Sequence, residues 1–262
     1  MSQSASNDST EKAFGTNVRF PSIDKLDHHS REFLQRVYSG DTKRYEDRII
    51  AIGFTDKERV LDAGCGFGQW SVALSKFNKM VHAVELNIER LRISKEMAAN
   101  RDINNIAFGN CSIDALPFRS NSLDAIFCYS AIYNTDYRIT FKEFYRVLKP
   151  DGALYVNTNG LGWYVYNIIQ SHNPAANFNP RVYALKSILN TARYSITKKH
   201  KPGACLVMFP YKTVRCLKES GFRDISIGGD GRISVNPNVK AAPFYPERYL
   251  GLPNVFEVLS YK

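Results

Sequence analysis

Short apolar runs alternate with segments of helical period through much of this chain. Arg59-Val60-Leu61, Met80–Val84, Ile106–Gly109 and Leu123–Cys128 read as buried strands. Between them, Ile88 to about Asn100 has Leu91, Ile93 and Met97 on one face, and Thr140–Val147 has helical character. Alternation of this kind predicts an α/β fold built on a parallel sheet. Two helices are expected upstream. One runs from about Ser22 to Tyr38 with Leu26, Phe33 and Val37 on its apolar face; the next follows an Asp41 cap and carries Tyr45, Ile49, Ile50 and Ile52. Residues 1–12 are polar, Ser-rich and without period, which predicts disorder.

Pro150 should stop a helix, Asp151-Gly152 should turn the chain, and Ala153–Asn157 should form another strand. Residues 158–208 then break the alternation. They hold Trp163, Tyr164 and Tyr166, an amphipathic run of Val182, Leu185, Ile188 and Leu189, and a basic knot at Lys198-Lys199-His200-Lys201. The stretch is too long for a plain connection and predicts a cap with its own helices. The alternation resumes with a helix over about Lys212–Ser220, stopped by Gly221, and with strands at Phe222–Ile227 and Val255–Tyr261.

Candidate chemistry concentrates where the first strand ends, in R-V-L-D-A-G-C-G-F-G, Arg59–Gly68. Gly64, Gly66 and Gly68 allow positive φ and let backbone approach a ligand. The helix beginning near Gln69 adds unpaired N–H groups. The second strand ends in Glu85, where α/β nucleotide sites place a carboxylate against ribose hydroxyls. Asp62, directly before the turn, would repel a pyrophosphate. It argues against NAD and FAD and suits a ligand with a positive amino-acid end.

Here the chain resembles the class I S-adenosylmethionine (SAM) dependent methyltransferases, whose first motif is acidic-x-G-x-G-x-G. The segment Asn110–Phe118 is similar to the family's G-D-A-x-x-L-P-F, with Cys111, Ser112 and Ile113 at the three leading positions. L-P-F-R-S-N-S-L-D-A-I-F-C (Leu116–Cys128) and R-V-L-K-P-D-G (Arg146–Gly152) match further family patterns in order and spacing. The resemblance spans roughly residues 55–157. It implies a Rossmann-like seven-stranded sheet with helices on both faces and an antiparallel last strand, preceded by N-terminal helices (13–54), interrupted by the cap and completed by residues 209–262.

The cofactor implied is SAM, leaving as S-adenosylhomocysteine, with Asp62, Ala63, Gly64, Cys65, Gly66, Gln69, Glu85, Leu86, Ser112, Ile113, Cys128 and Tyr129 as its binding residues. Tyr38, Arg44 and Tyr45 are candidates for its carboxylate. Where many small-molecule methyltransferases carry a histidine pair after the fourth strand, this chain has Tyr133 and Asn134. A general base must then come from elsewhere. His29 and His172 are the candidates, with Tyr133 positioning the acceptor; His28 and His200 read as surface residues and His82 as a packed one.

Composition narrows the reading further. The 262 residues are 44% hydrophobic and 23% charged, ordinary for a globular chain. Five scattered cysteines without a C-x-x-C spacing argue against a disulfide framework or zinc site and fit a reducing cytoplasm. No carboxylate cluster suggests a catalytic metal. No apolar run is long enough to span a bilayer, so no transmembrane segment is expected, and peripheral membrane contact stays open.

The net charge is +10, and residues 151–262 carry 14 Lys/Arg against 6 Asp/Glu. A basic second half suits an anionic acceptor such as a sugar acid or saccharide chain end. The reading is O-methylation of a small, polar, anionic molecule. The alternatives are N- or C-methylation of a small metabolite, an RNA methyltransferase, and a silent SAM-fold partner protein.

Overall fold

The computed structural model describes residues 26, 28–38, 42–171 and 178–262. The chain enters through α1 (His28–Tyr38) and α2 (Lys43–Ala51), then alternates β1 (Arg59–Ala63), α3 (Gln69–Ser75), β2 (Met80–Val84), α4 (Ile88–Ala99), β3 (Ile106–Gly109) and β4 (Leu123–Tyr129). There follow α5 (Tyr137–Val147), β5 (Leu148–Asn159), α6 (Leu161–Gln170), α7 (Pro180–Thr197), α8 (Pro210–Glu219) and β6 (Arg223–Gly229). A two-residue ladder of β7 (Arg248–Tyr249) and β8 (Leu252–Pro253) precedes β9 (Val255–Tyr261).

Seven strands form one sheet in the order β3-β2-β1-β4-β5-β9-β6. β1 pairs in parallel with β2 and β4, and β9 runs antiparallel to both β5 and β6. The chain steps outward from β1 to β3, then returns to lay β4 on the other side of β1. That reversal leaves a crevice beyond the carboxyl ends of β1 and β4, the place where open α/β sheets take ligands.

Strand residues divide by parity between two cores. Leu61, Ile126, Leu154, Val156 and Val258 face a cluster completed by Phe141, Phe144 and Leu217 from α5 and α8. Val60, Ala125, Phe127, Tyr155 and Leu259 face Ile49, Trp70 and Leu74 from α2 and α3. Covered on both faces, the central strands are apolar at nearly every position.

Most expected elements stand where the pattern put them, and the differences have local causes. α5 starts at Tyr137 because the Asp136 side chain accepts from Arg138 N and caps the helix. β5 begins at Leu148, because Pro150-Asp151-Gly152 is absorbed as a register shift between Leu123 and Ala125 of β4. α8 begins at Pro210, whose fixed φ suits a first helical position. Asp41, the expected cap of the second helix, and residues 1–12 lie outside the described residues; α2 begins after Thr42, which makes no side-chain cap bond.

One buried ionic cluster holds α2 to the far end of the sheet. Arg48 of α2 is fully buried and donates through Nη1 to Asp230 at 2.8 Å, Glu257 at 3.0 Å and the Tyr155 hydroxyl at 2.9 Å. Tyr155 donates to Glu257 at 2.6 Å, and the Ile233 and Gly231 amides donate to the same carboxylate. Burial pushes the Glu257 carboxyl up, against the pull of Arg48 and Tyr155. Removing the cation would strand two buried carboxylates. Arg48→Met is therefore expected to destabilise the fold by about 3–5 kcal/mol, read as a lowered midpoint in denaturant unfolding. A loss under about 1 kcal/mol, the scale of an exposed pair, would mean that the cluster does not hold α2 to the sheet.

Candidate functional site

The crevice floor is built from the glycine turn. Gly64 N and Cys65 N both donate to the Val84 carbonyl at 2.9 Å, fastening the turn to the end of β2. Gly64 has φ +80°, and a Cβ there would lie 2.4 Å from the Cβ of Ala131, just beyond β4. Gly66 has φ +57°, but a Cβ there would meet nothing within 4 Å. The first glycine is thus required by packing against the β4 loop; the second faces open space. From above, the Tyr38 hydroxyl donates to the Phe67 carbonyl at 2.7 Å and clamps α1 onto the turn.

Glu85 stands at the crevice edge. Its Oε2 accepts from Gly66 N at 3.0 Å and its Oε1 from Asn87 N at 2.8 Å. Asn87 in turn caps α4 by accepting from the Glu89 and Arg90 amides. Each carboxylate oxygen can accept again, so both remain able to receive vicinal hydroxyls. Asn110 Nδ2 donates to the Glu85 and Leu86 carbonyls at 2.8 and 2.9 Å, joining the end of β3 to the end of β2. Sequence reasoning assigned Asn110 no role. Its signal was an amide side chain directly after a strand that pairs with β2.

Asp62 lies behind the turn, 1% exposed, and accepts from the Ser71 hydroxyl at 2.6 Å. Burial pushes its carboxyl up to about 7, while the Ser71 hydrogen bond opposes the rise and Glu85 adds to it. Ala63 and Cys65 are buried beside it. Leu86, in contrast, is 69% exposed at the mouth. Ser112 is half-buried, and Ile113 is packed into the larger core. Gln69 Oε1 and the Tyr129 hydroxyl are buried without a hydrogen-bond partner. Such orphaned polar atoms are rare in a folded chain. With the open face of Gly66 and the free acceptor capacity of Glu85, they form a donor and acceptor set that fits a nucleoside bearing an amino-acid end.

On the β4 side, Cys128 is buried and Tyr129 packs 4.7 Å from Trp70. Ser130, at φ +55°, redirects the chain toward Tyr133. Burial raises the Tyr133, Tyr129 and Tyr245 hydroxyls above the usual phenol range. Arg90 opposes the rise at Tyr133, and Arg36 opposes it at Tyr245. Cys205 Sγ donates to Asn134 Oδ1 at 3.0 Å, and the Leu206 amide donates to the Tyr133 carbonyl, so the strap after α7 lies along this loop. Tyr133 stays a neutral phenol at ordinary pH, a hydrogen-bond donor and not a base. The basic residues Arg36 and Arg90 and the phenol Tyr245 were given no role from sequence; only the fold brings Arg90 near Tyr133 and Arg36 near Tyr245.

Arg44 donates to the Pro243 carbonyl and stacks over Phe244, and Tyr45 packs on Trp70, so both are held by protein groups. His82 is packed as expected, accepting from Arg59 Nε with its ring against Phe118. His28 is exposed beside Glu32. His200 is half-buried, its ring nitrogen bonded to the Ala204 carbonyl, because the strap folds back over it. His29 belongs to α1, with its side chain outside the description, and His172 lies outside the described residues. Among the described residues no cluster of His, Cys, Asp and Glu could hold a metal, and all five cysteines are free.

Comparison with known proteins agrees with this fold. Residues 60–152 match the family model described as a methyltransferase domain. An uncharacterized methyltransferase, YcgJ, of Bacillus subtilis (strain 168) is 33% identical over 97 residues, 37% of this chain and 38% of the relative. Demethylmenaquinone methyltransferase of Staphylococcus aureus (strain JH9) is 29% identical over 145 residues, 48% of this chain and 59% of the relative. The chain thus spans less than two thirds of the length of these relatives. Geranyl diphosphate C-methyltransferase from Streptomyces coelicolor A3(2), solved with Mg2+, geranyl diphosphate and S-adenosyl-L-homocysteine, superposes with a TM-score of 0.60 at 15% identity. That match covers 96% of this chain and 87% of the other. Residues 60–152 are thus a methyltransferase domain, and the sheet around them has the Rossmann-like fold of the class I SAM-dependent methyltransferases.

The two glycines should behave differently on substitution. Gly64→Ala adds backbone strain of about 1–2 kcal/mol to overpacking against Ala131, and is expected to cost more than about 2 kcal/mol in all. Gly66→Ala bears the strain alone. Thermal unfolding of both variants measures the difference; equal losses would mean that the Ala131 contact does not constrain the turn.

Proposed function

We propose that this chain transfers the methyl group of SAM to an oxygen of a small, anionic acceptor. The observation that carries the reading is Glu85: a part-buried carboxylate fixed by the Gly66 amide at the edge of an open glycine turn, with acceptor capacity to spare. Bound there, SAM supplies a methyl group activated by its sulfonium. The chain's own residues then bind, orient and exclude water. Glu85 receives the ribose hydroxyls, Leu86 and Ser112 border the base, and Asp62 lends its charge to the amino end through the turn. Tyr38 closes the floor by holding α1 down. Alignment in a dry crevice supplies most of the acceleration such a transfer needs.

The acceptor side supports an anion. Arg36 and Arg90 direct positive charge at Tyr245 and Tyr133, while Asp230, the nearby acid, is spent on Arg48. A neutral Tyr133 can donate a hydrogen bond to an acceptor but cannot take its proton. An acidic hydroxyl, already partly ionised, is therefore a better acceptor than an alkyl alcohol. The helices α6 and α7, with Trp163, Tyr164 and Tyr183 packed together, would close the site from the β5 side. Incubation with methyl-labelled SAM and a panel of phenolic, enolic and uronic acids, read by mass spectrometry, tests the reading. Label on carbon or nitrogen only would overturn the choice of oxygen.

Two further outcomes are expected. Glu85→Ala should weaken SAM binding by about tenfold or more, because it strands two hydroxyls; unchanged affinity in calorimetry would misplace the cofactor. SAM binding should also release protons. Free Asp62 holds its proton to about pH 7, and a nearby ammonium lowers that value, so affinity should rise as pH goes from 6 to 8. Calorimetry in buffers of different ionisation enthalpy measures the release, and Asp62→Asn should abolish it.

A further inference from the structure

Of the apolar run expected along α7, Ile188 packs inward against the Tyr164 cluster, while Val182, Leu185 and Leu189 point the other way. α7 buries Ala184, Ser187 and Tyr194 against the protein. Val182, Leu185, Leu189 and Ile196 face outward, at 43, 50, 69 and 82% exposure. On a helical projection these four, with Ala192, fill an unbroken arc of about 80°. Arg181 flanks one side of the arc; Arg193 and Lys186 flank the other. Between Val182 and Ile196 the strip runs about 21 Å. Exposed aliphatic residues in such order are not surface noise.

Along the chain, the charge on and around this helix is of one sign. Residues 152–218 contain nine Lys/Arg and no Asp or Glu. Among the described residues, Arg181, Lys186, Arg193, Lys198 and Lys199 have no carboxylate partner. Lys198 and Lys199 follow the end of the strip, and Lys212 of α8 shares a shallow depression with Thr191 and Ser195 of α7. An apolar strip edged by unpaired cations is the arrangement of a helix that lies in the interface of an anionic bilayer. The exposed side chains are aliphatic, whereas single-stranded nucleic acids are held by stacking on aromatic ones. No described helix is long and apolar enough to cross a membrane.

We infer that α7 docks this protein on an anionic lipid surface, with Val182, Leu185, Leu189 and Ile196 in the acyl boundary and the flanking cations on the headgroups. The inner face of the same helix carries Tyr183, which shares a hydrogen bond with Cys205 and whose hydroxyl feels that of Tyr133. The docking face and the acceptor side of the crevice are thus opposite faces of one helix, which suits an acceptor presented from the bilayer. The inference goes beyond the methyl-transfer reading, and its test needs no acceptor.

Co-sedimentation of the full chain with vesicles of phosphatidylcholine alone, and with about 30% phosphatidylglycerol added, tests it. The protein should bind the mixed vesicles and not the neutral ones. The double variant Leu189→Glu/Ile196→Glu should bind at least about tenfold less, with an unchanged thermal midpoint, because both side chains are exposed. Lys198→Glu/Lys199→Glu should weaken binding at low salt and match the parent at high salt. Sedimentation of parent and Leu189→Glu/Ile196→Glu alike, or of neither, overturns the inference. So does a concentration-dependent dimer that the same variant abolishes while vesicles go unbound, which would put a second copy on the strip. Calorimetry with SAM on the same samples reports separately on the methyl-transfer reading.

Discussion

One carbonyl oxygen organises the crevice. The Val84 carbonyl, at the last residue of β2, accepts from both Gly64 N and Cys65 N. Two adjacent amides can converge on one acceptor only if the backbone between them turns sharply, and Gly64 at φ +80° supplies that turn. The turn is thereby locked to the strand whose next residue is Glu85. Glu85 closes the loop by accepting from Gly66 N. The Glu85 carboxylate and the glycine-turn backbone are therefore one rigid unit, and neither needs rearrangement to present its groups to the crevice.

A second unit is electrostatic and lies beyond the other end of the crevice. Arg48 gathers Asp230, Glu257 and Tyr155 out of water. Asp230 also accepts from the amides of Phe244 and Tyr245 and from Asn157. This cluster sets where Tyr245 and Phe244 stand. Burying an ion cluster gains little stability over a packed apolar one. What it gives here is position: α2, β5, β9 and the loop after β6 meet in one arrangement only.

Much of this architecture is legible in the order of residues alone. β2, β3 and β9 have the bounds their apolar runs suggested, and the glycine turn, Glu85 and the antiparallel last strand stand where the family resemblance implied. Boundaries slipped where a side chain beyond the periodic stretch intervened, as Asp136 does for α5. The Arg48 cluster was invisible, because its partners lie 182 and 209 residues away and nothing local marks a buried arginine. The α7 strip was legible as a period but not as a direction, since both of its faces carry apolar residues.

The sequence by itself determined the alternation of strands and helices, the turn chemistry of Gly64–Gly68 and the acid at the end of β2. These rest on local steric and periodic constraints, which a chain carries wherever it is placed. Only the tertiary structure decided which cations and phenols come together and which face of α7 meets solvent. It also fixed how far Asp62 is withdrawn from water. Those depend on burial and on pairings between residues distant in the chain, and burial is a property of the assembled fold.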